Sequence, residues 1–418
     1  MTASKLFAVE AENSAEAEVP VWARAEAFPV KPTGHGDFGY IDSRRNLHAA
    51  PDADELAQKI GHARQTIGLV WSPDSDRLVV PEEIAALHKP LRARQRKQAE
   101  QDLSDGKRMG LVFGAITLWT LYAAWTNGGR QLEALYTHQL TGLAIMLFFI
   151  FGALPFYQGW KLKRHLAQSQ TSDLTAEIPD ARFDVWLHRQ AIPATWFLLV
   201  LMLLCGVVQA YFDWADTLAG PSIIQVGLLK QVALQYPEQA DGSAWWRMLS
   251  APMIHGNAIH FLMNAGGLLY LGRRTEILAR WPHMLIVFVA ACWAGGVATS
   301  YWIPDKISVG ASGGLMGLLG FLLAFEFLHH RLVPRPAKRR LIAGLIMMFV
   351  IGVLGMSFID NAVHAGGLLM GMGYALIVFP TSASAQRPNL IKRDLMAGVV
   401  AGIVILGAAC LTCFKVLW

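Results

Sequence analysis

Nine apolar stretches constrain this chain more than any other feature of its sequence. Each is close to the roughly 20 residues that a helix needs to cross the hydrocarbon core of a bilayer. They cover residues 109–126, 140–158, 194–212, 253–272, 283–302, 310–328, 341–358, 361–379 and 395–415. Hydrophobic residues make up 54% of the chain and charged residues 16%, against about 25% charge in a typical soluble domain. The sequence therefore predicts an all-α polytopic membrane protein.

Positive charges in the loops predict the orientation of these helices. Clusters of Lys and Arg occupy alternate loops, within residues 161–189, 273–280, 331–340 and 387–393, whereas the intervening loops hold only scattered ones. Cytoplasmic loops carry the excess of Lys and Arg in membrane proteins. We therefore expect the N-terminus in the cytoplasm, the C-terminus outside, and the chain in a plasma (inner) membrane.

The first 108 residues are polar and proline-rich, unlike the rest of the chain. Apolar residues at 67–71 and 78–80 predict two short strands of a small soluble module, and Pro81 followed by two glutamates predicts a helix start. The basic stretch that ends at Arg108 favours a solvated helix feeding the membrane over a polybasic surface for anionic lipid. The sequence assigns no chemistry to this region.

The cysteines and histidines do not indicate a metal or redox centre. All four cysteines (Cys205, Cys292, Cys410 and Cys413) lie in apolar stretches, which is typical of packing thiols. Cys410 and Cys413 form a C-x-x-C, but no second pair or nearby histidine accompanies it. The H-E-x-x-H motif of zinc proteases is absent. We therefore expect neither a metal nor an organic cofactor.

A serine lies among glycines at the outer start of the sixth stretch, in Gly310-Ala-Ser312-Gly313. Glycines allow a sharp entry into a helix and close helix packing, so Ser312 read alone could be one more small residue. Two stretches later, His364 lies about one turn into a helix. A histidine beside a serine hydroxyl can take its proton, while the alternative is a buried hydrogen-bonding histidine.

Gly367 and Gly371 follow His364 at a spacing that places them on its helix face, where another helix can approach closely. A third polar cluster, His255, His260 and Asn264, opens the fourth stretch. His260 and Asn264 are four residues apart and share a face, and both can donate hydrogen bonds to an anionic oxygen. The three clusters place a nucleophile, a base and oxyanion donors near the same side of the membrane.

This combination resembles the rhomboid intramembrane serine proteases over about residues 190–380. The family's G-x-S-G motif matches residues 310–313, and its H-x4-H-x3-N motif matches His255, His260 and Asn264. Its A-H-x2-G-x3-G motif matches His364, Gly367 and Gly371 with Val363 in place of the alanine. Its loop Trp-Arg pair resembles Trp246-Arg247, and its glutamate twelve residues after the asparagine is similar to Glu276.

The resemblance implies a six-helix rhomboid-like core, preceded by two transmembrane helices and followed by one. It implies a Ser312–His364 dyad, with the Ser312 backbone N–H, His260 and Asn264 holding the oxyanion. His255, Gly310, Gly313, Gly367 and Gly371 would support the site. Trp246 and Arg247 would anchor the first outer loop, and Glu276 the inner end of the second core helix.

Two positions depart from the family pattern. Met316 stands where the family often has a tyrosine stacked on the base, and a thioether can pack on an imidazole as well. Asp360 precedes His364 by four residues, where it could pair with the imidazole, although a helix cap is the favoured interpretation. A further acid, Glu326, is expected at a cytoplasmic helix end within reach of water.

The resemblance also implies the organisation and the partners of the chain. We expect a cytoplasmic N-terminal region at 1–108, two additional transmembrane helices at 109–160, a cytoplasmic linker at 161–192, the protease core at 193–380, and a linker with a C-terminal transmembrane helix at 381–418. The expected partners are the lipid bilayer and transmembrane protein substrates, cut near the outer face, with no nucleic acid. The alternative is a catalytically inactive, client-binding member of the superfamily.

Overall fold

Helices form most of the chain after residue 87, as the apolar stretches predict. The computed structural model describes residues 19–42, 44–63, 67–168, 171–217, 232–233, 245–303, 307–356 and 359–417. The helices are α1 Ala53–His62, α2 His88–Asn127, α3 Leu132–Thr137, α4 Gln139–Leu147, α5 Leu154–Gln168, α6 Ile178–Arg189, α7 Pro193–Thr217, α8 Arg247–Ser250, α9 Ala258–Ala279, α10 Trp281–Trp302, α11 Ser312–Leu328, α12 Arg335–Leu354, α13 Asn361–Val378 and α14 Lys392–Leu417.

Shorter elements complete the fold. A π-helical turn, Phe148–Ala153, joins α4 to α5. The 3₁₀ turns are Val21–Ala23, Ala25–Ala27, Pro81–Glu83, Ala85–Leu87, Thr171–Glu177 and Ala251–Met253. The strands β1 Phe38–Ile41, β2 Leu47–Ala50 and β3 Leu69–Trp71 form an antiparallel sheet in the order β2-β1-β3.

Each of the nine apolar stretches overlaps at least one of these helices, and the stretch 140–158 covers α4, the π-helical turn and the start of α5. Among the described residues, six helices are long and apolar enough to cross a membrane: Ala85–Asn127, Leu140–Gln168, Pro193–Phe212, Trp281–Trp302, Asn361–Val378 and Lys392–Leu417. The other three stretches form α9, α11 and α12, and α11 is an apolar helix of 17 residues. The prediction of an all-α polytopic membrane protein is confirmed. Most of the segment between α7 and α8 lies outside the described residues.

Glycines set the crossing of α11 and α13 at the centre of the core. A Cβ atom at Gly367 would collide with the backbone carbonyl of Gly313, and one at Gly371 would collide with that of Gly317. The two backbones therefore touch without intervening side chains. Both contacts advance by four residues in the same direction, so α11 and α13 are parallel. The N-terminal turns of the two helices therefore lie at the same end of the core.

The N-terminal module is a small α/β unit with its own apolar cluster, which includes Leu56, Ile60, Val70 and Leu87. The strand predicted at 67–71 is confirmed as β3, and the one predicted at 78–80 forms only an isolated bridge between Val79 and Val70. Strands β1 and β2 were not predicted from the sequence.

Asp42 organises the turn between β1 and β2. Its carboxylate accepts hydrogen bonds from the backbone N–H groups of Arg44 and Asn46 at 2.9 and 2.8 Å. The His48 ring lies 3.0 Å from its other oxygen. These bonds, that of His48 first, lower the pKa of Asp42 to about 2, so the carboxylate stays ionised at neutral pH.

The module is attached to the membrane core through Trp22 and α6. The Trp22 indole N–H donates to the backbone carbonyl of Leu332, between α11 and α12, at 2.8 Å. Its ring packs edge-on against Phe183, with 5.9 Å between ring centroids. The Arg182 guanidinium donates to both carboxylate oxygens of Glu83 at 2.8 and 2.7 Å. These contacts join residues more than 80 positions apart in sequence.

The environment of Glu326 differs from the expectation. We expected water at this carboxylate, but its side chain is 2% exposed and pairs with Arg274 of α9. The prediction was wrong because hydropathy places Glu326 near a helix end without showing that Arg274 and the core cover it.

The Cys413 thiol lies 3.8 Å from that of Cys205, joining α14 to α7, while Cys410 is exposed.

Candidate active site

Ser312 is the first residue of α11, and the backbone before it turns sharply. Gly310 has a φ of +105°, a conformation that residues with a side chain rarely adopt. Its N–H donates to the carbonyl of Ala251 at 2.9 Å. Ser312 is half-buried at this start of the helix. The glycine and the bond to Ala251 therefore determine where the Ser312 hydroxyl enters the core.

His364 is half-buried in the first turn of α13. Asp360 caps this helix: one carboxylate oxygen accepts from the N–H groups of Ala362 and Val363 at 3.1 and 3.0 Å. Its other oxygen accepts from the Thr299 hydroxyl at 2.7 Å. The interpretation of Asp360 as a helix cap is confirmed.

The first turns of α11 and α13 are in direct contact. A Cβ atom on Gly313 would lie 3.0 Å from Cγ2 of Val363, and one on Gly295 of α10 would lie 2.7 Å from the same atom. Two glycines thus make room for the valine that replaces the family's alanine. Because Gly313 follows Ser312 and Val363 precedes His364, the contact brings the serine and histidine to neighbouring positions at one end of the core.

His260 and Asn264 of α9 lie against the turn before Ser312. A Cβ atom on Gly310 would lie 2.6 Å from Cε1 and 2.7 Å from Nε2 of His260, and 3.2 Å from Nδ2 of Asn264. Asn264 is 5% exposed, and its Nδ2 has no hydrogen-bond partner among the described residues. A buried polar group without a partner is costly. This amide therefore leaves a donor beside the serine turn that another oxygen can use.

The His255 ring packs against two residues in the first turn of α9. It lies edge-on against the His260 and Phe261 rings, with 5.2 Å between the centroids in each case. Both of its ring nitrogens are buried without a hydrogen-bond partner among the described residues. Asn257 caps α9 by accepting the His260 N–H at 2.9 Å. His255 therefore contacts the site through its ring surface.

Gln209 of α7 is a site-supporting residue that the sequence analysis missed. Its side-chain oxygen accepts the His255 N–H at 3.0 Å, and its Nε2 donates to the His255 carbonyl at 2.6 Å. The signal was an uncharged amide within an otherwise apolar span, since intramembrane polar groups usually have a specific partner.

The remaining predicted residues lie outside the cluster of Ser312, His364, His260 and Asn264. The Arg247 guanidinium lies 5.5 Å from the Trp246 ring centroid, and its Nη1 donates to the Ala233 carbonyl at 3.5 Å. These contacts join the two described parts of the segment between α7 and α9. Met316, one turn after Ser312, is buried in the main core.

Glu276 lies at the opposite end of α9 from His260. Its carboxylate accepts hydrogen bonds from the N–H groups of Ala194 and Thr195 at 2.9 and 2.8 Å, and from the Thr195 hydroxyl at 2.7 Å. The carboxylate thus satisfies backbone donors at the N-terminus of α7, which have no partner within the helix. Glu276 supports the packing of α9 on α7.

Chemically, the cluster combines a hydroxyl, an imidazole and two potential donors at one end of a tightly packed core. Among the described residues, no group of three His, Cys, Asp or Glu side chains is placed to hold a metal ion. The arrangement suits proton transfer from the hydroxyl and stabilisation of negative charge on an oxygen.

Comparison with known proteins shows what this part of the chain is similar to. Residues 242–381 match the family model described as "Rhomboid domain". The chain is 31% identical over 168 residues to RHOMBOID-like protein 6, mitochondrial, of Arabidopsis thaliana (39% of this chain, 53% of the relative). It is 28% identical over 163 residues to Rhomboid protease GluP of Bacillus subtilis (39% and 32%).

Relatives described as inactive also match. Inactive rhomboid protein 2 of Homo sapiens is 29% identical over 213 residues, which cover 48% of this chain and 24% of that protein. The chain thus spans about half, or less, of the length of these curated relatives. Its relatives include both a protease and inactive proteins, so similarity alone leaves the activity open.

Proposed function

Since residues 242–381 match the rhomboid family model, we propose that this chain is an intramembrane serine endopeptidase of that family. The proposal assigns the nucleophile to Ser312 and the general base to His364. The substrates are transmembrane proteins, which the chain meets within the bilayer it spans. A catalytically inactive, client-binding protein is the alternative.

The chemistry follows the usual course of serine hydrolysis. The Ser312 hydroxyl attacks the scissile carbonyl while His364 takes its proton, and the protonated imidazole then protonates the leaving amine. Water hydrolyses the acyl-enzyme with the same histidine as base. The Ser312 N–H and the side chains of His260 and Asn264 stabilise the oxyanion.

The observation that carries the proposal is the Asn264 Nδ2 atom, which is buried and has no hydrogen-bond partner in the part of the chain that the structure describes. It lies beside Gly310, two residues before the nucleophile, where a Cβ atom would be 3.2 Å away. A structural asparagine in a buried position would normally satisfy its donor. A side-chain amide that can still donate a hydrogen bond at this place suits an oxygen that becomes negative only during the reaction.

The protease is favoured over the client-binding alternative by the complete set of reacting groups. Inactive members of this superfamily typically lack the serine or the histidine, whereas Ser312 and His364 are both present. The tight α11–α13 crossing also holds their helix starts in contact, which a client-binding surface would not require.

The position of the site limits the substrates. A carbonyl within a firm helix is hydrogen-bonded and shielded, so a substrate must unwind locally to reach Ser312. Single-span proteins with helix-weak residues near the membrane boundary meet this requirement. The loop charges favour a site facing the outside of a plasma membrane and a cytoplasmic N-terminus.

We also propose a domain organisation for the chain. Residues 193–380 form the protease core, residues 109–160 and 381–418 add transmembrane helices, and residues 1–108 form a cytoplasmic region attached through Trp22. The linker 161–192 includes α6, which the N-terminal module contacts.

The test is cleavage of a single-span substrate in detergent by the wild type, Ser312→Ala and His364→Ala. Matched controls are Ser300→Ala, a serine elsewhere on the core, and His165→Ala, an exposed histidine of α5. We expect both site variants to lose cleavage and both controls to keep it, with all five proteins folded.

A fluorophosphonate probe separates the remaining outcomes. Labelling of a wild type that cuts no tested substrate, lost in Ser312→Ala, indicates an active serine and an unmatched substrate. A folded wild type that neither cleaves nor is labelled contradicts the proposed protease and favours the client-binding alternative.

A further inference from the structure

Gln209 and His255 form a reciprocal side-chain-to-backbone contact inside the membrane core. The Gln209 amide accepts the His255 N–H at 3.0 Å and donates to the His255 carbonyl at 2.6 Å. Gln209 is 8% exposed, and His255 is 3% exposed. One side chain of α7 thus satisfies both backbone polar groups of a residue that lies outside any helix.

The His255 backbone needs such a partner because it lies in an irregular segment between Met253 and Ala258. Irregular backbone within a bilayer is tolerated only where its polar groups are satisfied. A leucine at position 209 would fill the space between the helices but would leave the His255 N–H and carbonyl without these bonds. Packing alone therefore does not account for the glutamine.

This segment touches both halves of the candidate site. At its N-terminal end, in the adjoining 3₁₀ turn Ala251–Met253, the Ala251 carbonyl accepts the Gly310 N–H at 2.9 Å and so positions the turn that leads to Ser312. At the other end, the His255 ring packs edge-on against His260. A shift of this segment would move the serine turn and the oxyanion side chain relative to each other.

From this geometry we propose that Gln209 is a positioning residue for the hydrolytic reaction. It fixes the His255 peptide, and through it the relative placement of Ser312 and His260. The inference rests on the proposed protease function. Gln209 has no role in proton transfer and does not contact the reacting atoms.

The test compares Gln209→Met and Gln209→Glu with the wild type. Methionine keeps the length of the side chain and removes both hydrogen bonds. We expect Gln209→Met to lower kcat by roughly tenfold to hundredfold, the range that small misplacements of reacting groups can cost, with little change in KM. Phosphonylation of Ser312 by the fluorophosphonate should slow by a similar factor.

Leu198→Ala is the matched control for a merely structural effect. Leu198 is fully buried on the same helix, 11 residues from Gln209, or about 16 Å along the axis. Its truncation should lower Tm through the cavity that it leaves, without lowering kcat per labelled enzyme. Gln209→Met should show the opposite pattern, with a larger loss of kcat and a smaller loss of Tm than Leu198→Ala.

Gln209→Glu supplies a pH signature. A protonated carboxyl can both donate and accept, as the amide does, whereas the ionised form only accepts. The activity of this variant relative to the wild type should therefore be near one at low pH and should fall as pH rises.

The outcomes are separable. The role of Gln209 is overturned, and the protease function kept, if the wild type is active and Gln209→Met has the same kcat. The same holds if Gln209→Met loses no more kcat than Leu198→Ala does at an equal loss of Tm. A relative activity of Gln209→Glu that is independent of pH overturns it as well. A wild type that neither cleaves nor is labelled overturns the proposed function, and the role of Gln209 with it.

Discussion

Arg274 and Glu326 form a buried two-point ion pair that joins α9 to α11. The Arg274 Nε and Nη2 atoms donate to the two Glu326 oxygens at 2.6 and 2.8 Å, with side chains 1% and 2% exposed. The guanidinium also lies 5.4 Å from the Phe183 ring centroid of α6. The helix of Ser312 and the helix of His260 and Asn264 are therefore linked in their C-terminal halves.

We expect the single variants Arg274→Met and Glu326→Leu to be strongly destabilised, because each leaves an unpaired buried charge. The expected loss is roughly 3–5 kcal/mol for either one, and the double variant should recover much of it. Thermal unfolding in detergent measures both. Additive losses in the double variant would contradict the coupling.

Glu276→Gln should lower stability while leaving the proposed cleavage activity of the folded protein unchanged. The substitution removes the charge and one acceptor, so at least one of the Ala194 and Thr195 N–H groups loses its bond. Hydrogen bonds to charged groups contribute about 1.5–3 kcal/mol each. The measurement is Tm together with kcat per labelled site. Glu100→Gln, on an exposed position of α2, is the control that should change neither.

Gly310→Ala should abolish activity. The alanine would adopt a positive φ at a cost of about 1–2 kcal/mol, and its Cβ would meet the His260 ring at 2.6 Å. We expect loss of fluorophosphonate labelling of Ser312. Gly373→Ala, on α13 with no atom within 4 Å of the added Cβ, should be labelled like the wild type. Full labelling of Gly310→Ala would contradict the placement of His260.

Asn264→Ala should lower kcat by about 10²–10³, the usual cost of removing one oxyanion donor. Since Nδ2 has no hydrogen-bond partner among the described residues, Tm should change little. Steady-state kinetics and thermal unfolding of the same preparation provide the comparison. A large fall in Tm with kcat unchanged would assign Asn264 a structural role instead.

Trp22→Ala should loosen the N-terminal module from the membrane core. The substitution removes the bond to Leu332 and the ring contact with Phe183, and truncation of a buried Trp typically costs roughly 3–5 kcal/mol. Faster limited proteolysis of residues 19–87 would report this. Trp119→Ala, at a position 68% exposed on α2, is the control. Equal proteolysis of the two variants would contradict the role of Trp22 in this contact.

Much of the arrangement could be predicted from local sequence. Hydropathy located each long helix, because a bilayer requires continuous apolar stretches. The glycines around Ser312 and His364 predicted close approach of two helices, and the side chain of Asp360 caps its helix as its position suggested. These inferences need only neighbours within one or two turns, whose geometry a helix dictates.

Other features depend on contacts that local sequence does not specify. Gln209 meets His255 across 46 residues, and Arg274 meets Glu326 across 52. Hydropathy records that a polar residue lies in an apolar stretch but not which residue satisfies it. The strands β1 and β2 were missed for a similar reason, since a strand is stabilised by its partner strand and not by its own sequence alone.

By itself, then, the sequence determined the helical membrane class and the glycine faces, because each follows from periodicity or from residue size, and it supplied Ser312 and His364 as the proposed reacting groups. Only the tertiary structure decided the partners: Gln209 for the His255 peptide, Arg274 for Glu326, and Gly310 between Ser312 and His260. The physical reason is that a buried polar group must be satisfied by whatever atom the helix packing brings within hydrogen-bond distance.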